Sequence, residues 1–184
     1  MRYDLLSTPI DGVYVLRRLP ICDDRGYFER VFCPQTLAGV GGFQRLEQVN
    51  HSMTAQVGAV RGLHGQRGAH AETKIVTCVR GQVFDVALDV RRGSPTYGQH
   101  YGFRLIAEEH TALLIPKGCL HGFQVLEAQS ELFYFHDAPY SPGAEFGVNV
   151  TDEDLKIQWP LDVTHLSPRD AQLPSLKTLQ ESPL

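Results

Sequence analysis

The 184-residue chain is 42% hydrophobic and 21% charged, the balance of a globular protein with its own core rather than of a disordered segment. Seventeen Lys and Arg against twenty-one Asp and Glu leave a formal charge of -4, which argues against a basic nucleic-acid surface and against a polybasic membrane contact. No apolar run reaches the roughly 18 residues of a membrane-spanning helix, and the opening residues MRYDLLSTPI lack the basic flank and apolar stretch of a signal peptide, so a cytoplasmic protein is expected.

In chain order, residues 12–17 form the first short β-type run, and Pro34 opens a candidate helix over 34–38. Further strands are expected at 74–79, 82–90, 101–106, 112–115, 122–126 and 132–135, and a second short helix follows Pro168. Turn signals separate these runs: Asp23-Asp24-Arg25-Gly26, Gly41-Gly42, Arg80-Gly81, Arg92-Gly93-Ser94-Pro95, Pro116-Lys117-Gly118 and Ser141-Pro142-Gly143. The stretch from Val83 to Val90 is mostly apolar, with acids at Asp85 and Asp89, as expected for a strand largely covered on both faces. Short strands at roughly 8–12-residue spacing, without long helical periodicity, predict an antiparallel sandwich or barrel. The expected fold is an all-β, cupin-type jelly-roll β-barrel with short peripheral helices, a single domain over residues 1–184. Cys22, Cys33, Cys78 and Cys119 form no Cys-x-x-Cys pair and read as free thiols.

Three of the eight His residues have distinctive surroundings. His64 closes Arg61-Gly62-Leu63-His64, His121 follows the Pro116-x-Gly118 turn into an apolar run, and His51 lies between Asn50 and Ser52. His70, His100, His110, His136 and His165 read as surface or satisfied core residues. A barrel mouth lined by His, Arg, Lys and Tyr is a usual small-molecule site. A metal site would need three or four convergent ligands, but His64 is followed by Gly65 and Gln66 rather than by a second His. Metal-free acid–base chemistry needs a His near neutral pKa, a carboxylate to orient it and an acid on the other face of the substrate. Tyr134 and Asp170 are candidates, although spacing does not select them from seven Tyr and twenty-one acids.

The ordered set Arg61-Gly62-Leu63-His64, Lys74-Ile75-Val76, Arg80-Gly81-Gln82-Val83-Phe84-Asp85-Val86, Ser94-Pro95-Thr96-Tyr97-Gly98, Ile115-Pro116-x-Gly118-x-x-His121-Gly122-Phe123 and Ile157-x-Trp159-Pro160 closely resembles the dTDP-4-dehydrorhamnose 3,5-epimerase family. The resemblance spans about residues 12–176. It implies a cofactor-free jelly-roll epimerase, normally a homodimer, that acts on a 4-keto-6-deoxy nucleotide sugar in deoxysugar biosynthesis. His64 matches the family's catalytic base, Asp170 the carboxylate that orients it, and Tyr134 the acid that reprotonates from the other face. Lys74 and Arg61 match cationic residues near the sugar and phosphates, with Lys74 able to stabilise an enolate without a metal. Gln48, Asn50 and His121 match polar lining, Tyr140 and Glu145 contacts on the nucleotide side, and Arg25 and Phe28 a motif reaching into the neighbouring subunit's site.

The chain departs from the family pattern at several positions. The acid expected in the Arg-Gly-x-Phe-x-Glu motif is Arg30, with Glu29 one place early; the aromatic expected after His64 is Gly65. A Gln expected two residues before Lys74 is Glu72, and the expected late Arg-Trp is Asn149-Val150. These changes fall around sugar and nucleotide recognition and leave the His, Asp and Tyr set intact. Two other classes remain as alternatives: a metal-dependent cupin isomerase or dioxygenase, and a non-catalytic sugar-nucleotide binder that kept the fold.

Overall fold

The computed structural model describes residues 2–37, 40, 43 and 45–181. Ala38, the end of the expected helix over 34–38, and the expected Gly41-Gly42 turn lie outside the described residues. Strands are numbered along the chain. One sheet has the order β1 (Tyr3–Ser7), β2 (Tyr14–Arg18), β10 (Thr111–Ile115), β7 (Lys74–Arg80), β12 (Ser130–His136) and β5 (Gln48–Thr54). The other runs β13 (Glu145–Gly147), β6 (Val60–Gln66), β11 (Cys119–Val125), β8 (Gln82–Asp89) and β9 (His100–Ile106). From β5 to β8 the chain changes sheet at every step, so neighbours in sequence face one another across the interior, as in the expected jelly roll. A separate hairpin pairs β3 (Ile21–Asp23) with β4 (Gly26–Phe28). The helices are short: α1 (Pro34–Leu37), α2 (Pro168–Ala171) and α3 (Leu176–Glu181). No described helix is long and apolar enough to cross a membrane.

Alternation along the strands builds three packed layers. Val15, Val76 and Leu113 from the six-stranded sheet meet Val83, Ala87, Leu105 and Phe123 from the five-stranded sheet in the interior. Their sequence neighbours Leu16, Ile75 and Leu114 point outward under Leu37 and Phe43. Across the molecule, Leu63, Val86, Leu88 and Leu120 point outward under Val148, Val150, Leu155 and Leu179. β8 is therefore covered on both faces, as its composition implied. Its two acids are buried but partnered: Asp89 accepts from Arg91, Ser94 and Thr96, and these hydrogen bonds outweigh burial and hold its carboxyl well below the usual range.

Residues 48–54 and 60–66 are strands that the sequence pattern did not announce, and both line the interior near the polar residues described below. β6 reads Val-Arg-Gly-Leu-His-Gly-Gln and lacks a β-type pattern because its backbone must come close to that of β11. Gly62 has φ +126°, and a Cβ there would stand 2.5 Å from Gly122 Cα and 2.8 Å from the His121 carbonyl oxygen. The approach sets His64 directly opposite His121 in the ladder. Gly62→Ala is expected to cost about 3 kcal/mol or more and to separate the two histidines, read as a fall in thermal midpoint with altered His64 and His121 imidazole resonances.

Candidate active site

Two walls of opposite origin meet at one end of the barrel. From the six-stranded sheet, cross-strand pairing sets His136 beside Lys74 and Gln48, and Tyr134 beside Val76 and Asn50. The five-stranded sheet contributes His64 and Gln66 from β6, His121 from β11 and Asp85 from β8. Seen from the sequence, these positions share the inward parity of Val76 and Ala87.

His64 and Asp170 are 106 residues apart, and His64 Nε2 lies 2.7 Å from Asp170 Oδ1. The loop before α2 makes the meeting possible. Ser167 caps the helix by accepting the Asp170 N–H at 3.0 Å, Pro168 sets its first turn, and the Gly62 N–H points at Asp170 Oδ2 at 3.5 Å. Asp170 is thus both the helix N-terminal acid and the partner of His64. With Nε2–H donated to Asp170, Nδ1 is left as a free acceptor. Burial pulls the His64 imidazole below its ordinary 6.5, and this outweighs the opposing effect of Asp170. The ring is therefore neutral and able to accept a proton at neutral pH.

Tyr134 comes from β12 in the opposite sheet. Its hydroxyl lies 2.9 Å from Ser52 Oγ, and burial pushes its phenol far above the ordinary range. Its ring meets His121 edge-on at 5.9 Å. His121 in turn sits 2.7 Å from Asp85 Oδ1, so a second His–Asp pair stands beside the first. Asp85 Oδ2 is enclosed without a hydrogen-bond partner. Lys74 is buried and donates to Glu72 Oε1 at 2.7 Å.

The remaining expected residues divide into three groups. Gln48 accepts from the Tyr140 N–H at 2.9 Å and donates to Asn50. Tyr140 donates its hydroxyl to Glu145 at 2.7 Å, and Arg169 reaches the other Glu145 oxygen at 2.5 Å. Burial pushes Glu145 up, but the hydrogen bonds from Tyr140 and Arg169 outweigh it and hold the carboxyl below its usual range. Arg61 donates to Thr54 and borders a cleft of about 710 Å³ shared with His165, Arg169 and Asp170. Arg25 and Phe28 belong to the hairpin rather than to either wall: Arg25 pairs with Asp23, and Phe28 is 73% exposed. Glu29 accepts from Arg18 Nε at 2.9 Å, which anchors the hairpin base, and His110 Nδ1 lies 2.9 Å from the same carboxylate without a hydrogen bond to it.

His51 lies on the outer face, paired with Glu131. Sequence reasoning passed over Ser52, Gln66, Asp85, Arg169 and His136 as site residues, and named Glu72 only as a departure from the family pattern. An acid inside the apolar run of β8 was the available signal for Asp85. The sequence reading of His136 as a satisfied or surface residue is corrected: its ring lines the site, and Nε2 is enclosed without a partner. Among the described residues, no group of three or more His, Cys, Asp or Glu is arranged to share a metal ion. All four cysteines are free thiols.

A family model described as dTDP-4-dehydrorhamnose 3,5-epimerase matches residues 7–178. A Sinorhizobium fredii protein named dTDP-4-dehydrorhamnose 3,5-epimerase is 41% identical over 96% of this chain and 91% of its own. The Legionella pneumophila dTDP-6-deoxy-D-glucose-3,5-epimerase, solved in complex with dTDP-4-keto-L-rhamnose, superposes with a TM-score of 0.89 at 37% identity, covering 95% of this chain and 93% of that one. ChmJ of Streptomyces bikiniensis, a 3'-monoepimerase solved with dTDP-quinovose, gives a TM-score of 0.89 at 32% identity, covering 96% and 89%.

His136 is expected to contribute to acid sensitivity. Burial, then the nearby Lys74 cation, pull its imidazole down to about 4, so the folded protein resists a proton that the unfolded chain accepts near the ordinary 6.5. Stability therefore falls as pH drops from 6.5 towards 4, by up to about 3 kcal/mol from this residue. In urea unfolding at pH 7 and pH 4.5, His136→Leu is expected to shrink the pH-dependent loss; an unchanged slope would exclude this source.

Proposed function

The chain belongs to the dTDP-4-dehydrorhamnose 3,5-epimerase family, and we propose that its His64 and Tyr134 are the base and acid with which it epimerises a 4-keto-6-deoxy nucleotide sugar. The observation that carries these roles is the His64–Asp170 pair on one sheet with the Tyr134 phenol on the other. The C4 ketone acidifies the hydrogens on C3 and C5, so a neutral imidazole suffices to remove one when the enolate is stabilised. His64 Nδ1 takes the proton, and the imidazolium is stabilised by Asp170. The electron pair moves to the C4 oxygen, where the Lys74 ammonium supplies the countercharge.

Tyr134 then protonates the carbanionic carbon from the opposite face, which inverts the centre. Its raised pKa means that the phenol keeps its proton until a strongly basic carbon is presented. Ser52 Oγ, at 2.9 Å, offers a route by which solvent reprotonates the phenolate. Arg61 and Arg169, bordering the same cleft, suit the two phosphates. Tyr140 and Glu145 lie next to Arg169 and suit the nucleoside end. The relatives include a 3,5-epimerase and a 3'-monoepimerase; inversion at C3 is the step that the two share, and the proposal for this chain is inversion at C3 with or without C5.

The acting form is a cytoplasmic homodimer in this reading. Ile21, Tyr27 and Phe28 leave an apolar hairpin exposed, and Arg25 at its tip adds a cation; a second copy of the chain would bury both near its own site. Free thiols suit a reducing compartment. Phe28→Asp is expected to shift sedimentation from dimer to monomer and to lower kcat/KM. A variant that is monomeric at micromolar concentration and fully active would exclude the shared site.

Incubation with 4-keto sugar nucleotides in D2O, followed by NMR, separates the two catalytic roles. His64→Asn cannot accept a proton and should lose exchange and inversion together, by ~10²–10⁴-fold or more. Tyr134→Phe keeps the ring and the base, so exchange at the original face persists while inversion is lost. Wild-type inversion by Tyr134→Phe would return Tyr134 to a packing role, and no exchange by the folded wild-type protein would remove the assignment altogether.

A further inference from the structure

We propose that Glu72 is a positioning residue for this reaction: it fixes the buried Lys74 ammonium in place and, through Gln66, ties it to the segment that carries Tyr140. The inference rests on the role given to Lys74 above. Glu72 stands two residues before Lys74, so both side chains leave the chain on the same side, and both are about 6–7% exposed. A buried ammonium without a partner would be costly, and here Glu72 Oε1 accepts from Lys74 Nζ at 2.7 Å.

The second carboxylate oxygen, Oε2, accepts from Gln66 Nε2. The orientation of the Gln66 amide is fixed at both ends. Its Oε1 accepts from the Ser141 backbone N–H, a group that can only donate. Its Nε2 faces acceptors, with the His70 and Pro139 carbonyl oxygens each at 3.2 Å. Gln66 therefore presents a donor to position 72, and Lys74 presents another. Position 72 must accept at two atoms at once, which an ionised carboxylate does and an amide does not.

The chain of contacts continues to the nucleotide side. Ser141 follows Tyr140, whose N–H is held by Gln48 and whose hydroxyl is held by Glu145. Lys74 is a flexible side chain, and its use as a fixed countercharge depends on being held before substrate arrives. The negative charge of Glu72 adds nothing to enolate stabilisation; what it adds is placement. Glu72→Gln would be nearly isosteric, yet one of its two donors, Lys74 or Gln66, would lose its acceptor.

The test is a double-mutant cycle with Lys74→Met, reading kcat and KM for exchange, together with the amide proton of Ser141 by NMR. Glu72→Gln is expected to lower kcat by ~10–100-fold in the wild-type background, with a smaller change in KM. In the Lys74→Met background it should cause no further loss, because the group it positions is gone. The Ser141 amide should move upfield in Glu72→Gln as the Gln66 hydrogen bond loosens. Wild-type kcat in Glu72→Gln, or equal losses in the two backgrounds, overturns the proposal. If the wild-type protein exchanges no substrate, the catalytic reading fails first; the Ser141 shift then still decides whether Glu72 fixes the segment, and an unmoved amide overturns it.

Discussion

The architecture has to bury charge between two sheets and keep it tolerable. A sandwich interior ordinarily receives alternating apolar side chains, and one end of this barrel follows that rule with Val15, Val76, Leu105 and Phe123. At the other end the inward positions are His64, Lys74, Asp85 and His121. A lone ion there would cost several kcal/mol, and each finds a counterpart: His64 with Asp170, Lys74 with Glu72, His121 with Asp85. The pairs differ in what they connect. His121 and Asp85 are neighbours across one sheet and hold the wall together, whereas Asp170 is brought from α2 and fastens the C-terminal segment over the outer face of β6. Placement of His64 and closure of the outer layer are therefore one structural event.

The same pairing explains what could be read from the sequence and what could not. β8, β10 and the centre of β11 are buried on both faces, so their composition is set by packing and their positions were legible. β5 and β6 were not. Gln48, Asn50 and Ser52 sit where a strand would carry inward apolar residues, on the face that Tyr134 and His136 share. Gly62 and Gly65 break the β-type composition of β6 because backbone approaches closely there. Function overrode the local signal at the strands nearest the chemistry. His64, Tyr134 and Asp170 were named through a family pattern, since no spacing rule links a strand residue to an acid 106 positions later. The partner of Lys74 was visible as a departure, Glu72, but its two-acceptor geometry depends on Gln66 and Ser141, which only the folded chain assembles.

The two-sheet interior also accounts for why this chemistry suits this fold. Inverting a carbon through a planar enolate requires removal of a proton on one face and delivery on the other, so base and acid must not lie on the same surface. His64 comes from β6 in the five-stranded sheet and Tyr134 from β12 in the six-stranded sheet. The separation is fixed by the packing of one sheet on the other rather than by a loop. Burial acts on the two groups in opposite chemical senses: it makes His64 neutral, and so ready to accept, while it makes Tyr134 reluctant to part with its proton. In the proposed mechanism that asymmetry sets a direction for the first step, from carbon to imidazole, with the phenol protonated until the enolate has formed. A barrel that buried both groups without Asp170 and Ser52 would suppress the chemistry, because neither the imidazolium nor the phenolate would have a partner. The proposed roles fit this burial because each group favours its neutral form there and retains one hydrogen bond, His64 to Asp170 and Tyr134 to Ser52.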